Sequence, residues 1–137
     1  MNEQKKKKVY LTLMIVFTVI IIVSAVILVR LSKPKIDYDA MAEELLQYVY
    51  TYDKVKNIEV PSDSVYNITV SSDPWYSASE RDKMLLCKNL NEGITVICQK
   101  YKIIKDTQRA YVYYYDEDGI KIAEPGEGLT LESKILH

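Results

Sequence analysis

The sequence predicts an α+β domain carried behind one N-terminal membrane-spanning helix. Three observations predict it. The run Val9 to Val29 is 21 residues without a charge. Later segments show two different apolar periods, near 3.6 for helices and 2 for strands. Their order reads α-β-α-β-β, and its natural package is a long amphipathic helix on a three-stranded, mainly antiparallel sheet.

The uncharged run is dominated by Val, Ile, Leu, Met and Phe, with Tyr10, Thr12, Thr18 and Ser24 as its polar members. At 1.5 Å per residue it spans roughly 31 Å, close to a bilayer's hydrocarbon thickness. Inside lipid a helix pairs every backbone group within the segment. Lys5, Lys6, Lys7 and Lys8 precede it, and Arg30, Lys33 and Lys35 follow. The short basic start favours a cytoplasmic N-terminus and a C-terminal domain outside the cell membrane. Val23-Ser24-Ala25 is a small-residue cleavage site of the signal-peptide kind. The apolar run continues past it, so an uncleaved signal-anchor is the leading expectation and release after Ala25 the alternative.

The expected organisation is a basic cytoplasmic stub at 1–8, the membrane helix at 9–29, a linker at 30–36 around Pro34, and a small domain at 37–137. The charge splits the same way. Residues 1–35 hold seven basic residues against Glu3, a net of +6, while residues 36–137 hold 11 Lys+Arg against 18 Asp+Glu, a net of −7. An acidic domain repels polyphosphate and anionic head groups, so no nucleic-acid partner is expected, and the domain is expected to stand away from the lipid bilayer surface while the basic flanks hug it.

In the domain, Asp37 or Asp39 caps a helix from about 38 to 52, where Met41, Leu45, Tyr48 and Tyr52 recur at i, i+4, i+7 and i+11. Residues 53–64 are polar and irregular, with Pro61. Val65 to Val70 alternates, Tyr66, Ile68 and Val70 against Asn67 and Thr69, and reads as a strand ended by a turn at Asp73-Pro74. Ser77-Ala78-Ser79-Glu80 matches a capping box for a helix over about 78–102. Gly93 inside that helix costs about 1 kcal/mol against Ala. Ala110 to Tyr115 is strand-like. Asp116 to Gly119 is turn chemistry, with Gly119 suited to positive φ. Ile120, Ile122 and Ala123 form the return strand, and Leu129, Leu131 and Ile135 a weak last segment.

Candidate chemistry is sparse. The one histidine is His137, a terminal residue expected to be mobile, so no Ser-His, Cys-His or His-zinc site is expected. Cys87 and Cys98 share a helical face but lie about 16 Å apart along its axis, as buried hydrophobes; a break at Gly93 would instead allow a disulfide. Asp116, Asp118 and Gly119 lack the later ligands of a calcium loop. Asn67-Ile68-Thr69 is a glycosylation sequon inside a strand. No catalytic, cofactor or metal residues are assigned, and no enzyme activity is expected.

The twelve tyrosines carry more information. Tyr113 and Tyr115 face one side of their strand and Tyr114 the other. One side is core; the other is free to expose aromatic surface of the kind favoured in binding hot spots. Trp75, Tyr76, Tyr111 and Tyr114 are the candidate partner-binding residues. The leading functional expectation is a single-pass envelope protein whose outer domain binds another protein or serves as an accessory subunit of a membrane complex. The alternative is a ligand-binding domain or enzyme on the same anchor. The Lys-, Ile- and Tyr-rich composition points to a bacterial source.

Overall fold

The computed structural model describes residues 2–32 and 35–137. The chain divides into two units, residues 1–35 and 36–137. Lys33 and Pro34, the centre of the expected linker, lie outside the described residues.

The first unit is one helix, α1 (Glu3–Ser32), longer at both ends than the uncharged run. The expected stub at 1–8 is therefore helical from Glu3 onward, as are the first linker residues, which unbranched Lys and Arg readily allow. Residues 3–31 are long and apolar enough to cross a membrane. The hydroxyls of Thr12 and Thr18 donate to the carbonyls of Lys8 and Met14 at 2.8 and 2.9 Å. Both threonine hydroxyls are thus satisfied on their own helix, as an apolar surrounding demands.

The second unit is a mixed α+β domain. Helix α2 (Tyr38–Val49) starts where the Asp37 carboxylate accepts the Ala40 amide at 3.0 Å, and it buries Met41, Leu45 and Val49. Strands β1 (Val55–Ser62) and β2 (Val65–Val70) form an antiparallel hairpin. A one-and-a-half-turn helix, α3 (Ser72–Ser77), and the long α4 (Glu80–Lys100) lead to β3 (Tyr111–Tyr115). Strands β4 (Lys121–Pro125) and β5 (Ser133–Ile135) complete the sheet.

The sheet has five strands in the order β1-β2-β3-β4-β5, not three. It is mixed, because β2 and β3 run parallel while the other pairs are antiparallel. A parallel pair needs a crossover, and α3 and α4 supply it. The two unexpected elements of the sheet are its edges. Only Val55 of β1 is fully buried, and β5 is three residues long. An edge strand is held by backbone pairing on one side and shows little apolar period. Lys56, Glu59 and Pro61 on β1 suit such an edge.

Helix α4 is capped by Ser79, whose hydroxyl accepts the Asp82 amide at 3.1 Å. The expected box from Ser77 is displaced because α3 takes Ser77, whose hydroxyl donates back to the Asp73 carbonyl at 2.8 Å. The helix runs unbroken through Gly93, so Cys87 and Cys98 are both buried and free. Burial pushes the Cys87 thiol up to about 12. It raises that of Cys98 as well, despite the Tyr66 hydroxyl 3.0 Å away.

The core lies between α4 and one face of the sheet. Tyr66, Ile68, Val70, Val112 and Tyr114 from the strands meet Cys87, Leu90, Ile94, Ile97 and Cys98 from the helix. One polar residue sits among them. The Asn91 amide donates at 2.8 Å to both the Leu131 carbonyl and the Ser133 hydroxyl, and its oxygen accepts the Tyr114 hydroxyl at 2.7 Å. It thereby ties α4 to β3 and to the last strand. The C-terminus is also held: Trp75 donates its indole N–H to the His137 carbonyl at 3.1 Å, and the His137 amide donates to Ile122.

Candidate functional site

Register decides what the helix-free face of the sheet displays. Across the parallel pair, Val65, Asn67 and Thr69 lie beside Tyr111, Tyr113 and Tyr115. Asn57 and Glu59 of β1 pair with Thr69 and Asn67, and Lys121 of β4 pairs with Tyr115. All of these have the parity opposite to the buried Tyr66, Ile68, Val112 and Tyr114. The result is a central row of three tyrosines with short polar side chains on one flank and a lysine on the other.

The row is partly ordered by charge. Lys121 places its ammonium 5.8 Å from the Tyr113 ring centre and pairs with Glu124 at 3.0 Å. At the other end, the Arg109 guanidinium lies 5.7 Å from the Tyr111 ring centre. Tyr111 is 41% exposed, and Tyr113 and Tyr115 are half-buried. Such cation–ring contacts hold an aromatic plane without hiding its polar edge.

The four residues singled out from the sequence do not share this surface. Tyr111 is on it. Tyr114 is fully buried, its hydroxyl committed to Asn91 and, at 3.1 Å, to the Cys87 carbonyl. Trp75 is 2% exposed and closes the core beneath α3. Neither is a surface contact: bulky rings with one polar edge fill the core where a backbone carbonyl receives that edge. Tyr76 is exposed, but it belongs to the opposite end of β3, where its hydroxyl donates to Asp116 at 2.7 Å. Tyr113 and Tyr115 take the places of Trp75 and Tyr114. Their signal was present in Val112, a purely apolar residue sharing the parity of Tyr114, which marks that side as core.

Asp116 organises the turn between β3 and β4. One carboxylate oxygen accepts the amides of Asp118 and Ile120, each at 2.9 Å, and Gly119 adopts φ +82°. The Tyr76 hydroxyl and then these backbone amides hold the Asp116 carboxyl below its ordinary value of 3.8, against the opposing effect of burial. A lowered folded pKa contributes stability that is present above the ordinary aspartate range and is lost as pH falls through the folded value. Asp116→Asn is therefore expected to flatten the acid limb of the stability curve below about pH 4. Urea midpoints for both proteins across that range test this, and parallel curves would refute it.

Another polar cluster joins two helices. Glu44 on α2 accepts from Lys100 at 2.9 Å and from the Tyr101 hydroxyl at 2.6 Å, clasping α2 to the end of α4. Among the described residues no three His, Cys, Asp or Glu side chains group closely enough to hold a metal ion. Comparison with protein-family models, with curated proteins and with solved structures finds no match for this chain.

Proposed function

We propose that the chain is a single-pass membrane protein whose outer domain binds another protein through the tyrosine row of its sheet. The observation that carries this reading is the helix-free face bearing Tyr111, Tyr113 and Tyr115 in one line, flanked by Asn67 and Thr69. Tyrosine supplies large contact area with few rotors to immobilise, and short polar neighbours supply adaptable hydrogen bonds. The apolar α1 supports the anchor. The basic flank and acidic domain support a display orientation away from anionic lipid, with the N-terminus cytoplasmic.

The test is site-specific photocrosslinking of the full chain in native membranes. Photoreactive residues at Tyr111 and Tyr113 are expected to give one discrete adduct. The same group at Val96, 60% exposed on α4, is expected to give none. Asn67→Arg, on the same face, is expected to abolish the adduct without unfolding the domain. Equal crosslinking from all three positions, or none from the tyrosines, overturns the proposal.

A further inference from the structure

Arg109 stands immediately before β3, where the chain returns from α4. It is 3% exposed. Its Nε donates to the Ala110 carbonyl at 3.2 Å, but its two terminal nitrogens are buried and meet no hydrogen-bond partner among the described residues. None of the ion pairs among the described residues includes it. A guanidinium keeps its charge throughout the physiological range. Burying such a charge without an ion-pair partner is destabilising, and an apolar side chain of similar volume avoids that cost.

The same side chain lines a cleft of about 320 Å³ at this end of the sheet. Three connections build it: the β1–β2 turn at Asp63 and Ser64, the α4–β3 loop at Ile103 and Gln108, and the β4–β5 loop at Leu129. Tyr111 forms part of the wall, with its ring beside the guanidinium. Leu129, which lines the cleft from the β4–β5 loop, is 72% exposed.

These features select a ligand chemistry. Two terminal guanidinium nitrogens form a planar fork that matches the two oxygens of a carboxylate. Ile103, Leu129 and the Tyr111 ring suit an apolar body attached to it. Asp63 also lines the cleft, and the domain around it is net acidic, so a monoanion is favoured over a phosphate dianion. We propose that Arg109 anchors a carboxylate-binding site, receiving the carboxylate of an apolar organic acid or of a peptide C-terminus. The buried charge is then a cost to the free fold that the ligand offsets. This site requires only the cleft and Arg109, and it stands whether or not the tyrosine row binds a protein.

The chain has three arginines, Arg30, Arg81 and Arg109, so ¹⁵N-arginine labelling of the full chain in detergent gives a resolved side-chain probe with two internal controls. The ligand probes are benzoate, the tripeptide Ala-Leu-Phe, its C-terminal amide, and inorganic phosphate at matched ionic strength. The Arg109 Nε–Hε signal is expected to move saturably with the free-acid tripeptide or benzoate while Arg30 and Arg81 stay still. The amide is expected to do nothing. Saturation by both acids identifies a small-acid site; saturation by the peptide alone identifies a C-terminal carboxylate site. Arg109→Met is expected to raise the unfolding midpoint without ligand and to abolish the midpoint rise that the acid gives the wild type. Arg109→Lys, charged but without the fork, is expected to weaken binding at least about tenfold. No movement of the Arg109 signal, equal movement of all three arginines, or a response to phosphate alone overturns the proposal, and the wild-type titration decides it even if the variants do not fold.

Discussion

Asn91→Leu is expected to lower the unfolding free energy by about 2–4 kcal/mol, although leucine keeps the branched shape and restores an apolar helix face. Asn91 is fully buried, and its amide group makes three short bonds to two other parts of the chain, β3 and the start of β5. Removing it takes the amide donor from the part-buried Leu131 carbonyl and from the buried Ser133 hydroxyl and sets an apolar group against both. The Tyr114 hydroxyl keeps only its bond to the Cys87 carbonyl. Because Asn91 holds the β5 end of the sheet, the loss is expected to be local first. Amide exchange at Ser133 to Ile135 should accelerate more than exchange in β2. Tyr114→Phe alone is expected to cost about 1 kcal/mol, and less than that in the Asn91→Leu background, since the two share one bond. Stability equal to or above wild type in Asn91→Leu would show that the hub contributes nothing.

Gly93→Ala is the second large expectation, and its sign is the informative part. In an exposed helix interior the change stabilises by about 1 kcal/mol. Here a methyl group on Gly93 would overlap the ring and hydroxyl of Tyr48 from α2. Tyr48 is held in place by donating to the Asn89 carbonyl at 2.6 Å and by an edge-on contact with Tyr52 at 5.7 Å. Swinging it away breaks the bond and loosens the α2–α4 contact. The expected result is a net destabilisation of about 1–3 kcal/mol. In a Tyr48→Ala background the clash is gone, and Gly93→Ala is expected to stabilise by about 1 kcal/mol. Denaturant midpoints of the four proteins decide it. The same sign in both backgrounds would remove Tyr48 as the reason for the glycine.

That pair shows where reading the chain locally stops. Gly93 has a propensity cost legible in one dimension, and the 3.6 period continues across it. The reason for accepting the cost lies on another helix 45 residues earlier in sequence. The tyrosines of β3 make the same point. Alternation separates Tyr114 from Tyr113 and Tyr115, but it does not say which side meets α4. Val112 carries that information, and the long reach of Tyr114 to Asn91 confirms how a phenol fits a core. Trp75 is a second case: its indole is buried in the core, with its N–H received by the carbonyl of His137, 62 residues later in sequence.

The candidate site divides likewise. Tyr111 was legible as a surface aromatic. Arg109 was not, since a Gln-Arg pair in a polar loop looks solvated until three connections converge on it. Nothing in the local pattern marks a buried cation. Its mark is the missing hydrogen-bond partner, and that is a property of the packed structure.

By itself the sequence determined the elements whose signal is local. These are the apolar α1, the amphipathic α2 and α4, the alternating β2, and the turn between β3 and β4. Each follows from a period or a turn residue that neighbours in the chain enforce. Tertiary structure alone decided the width of the sheet, because edge strands β1 and β5 exist through backbone pairing and need little apolar pattern. It also decided the burial of Arg109. Burial depends on what arrives from elsewhere in the chain, and no residue carries that in its own neighbourhood.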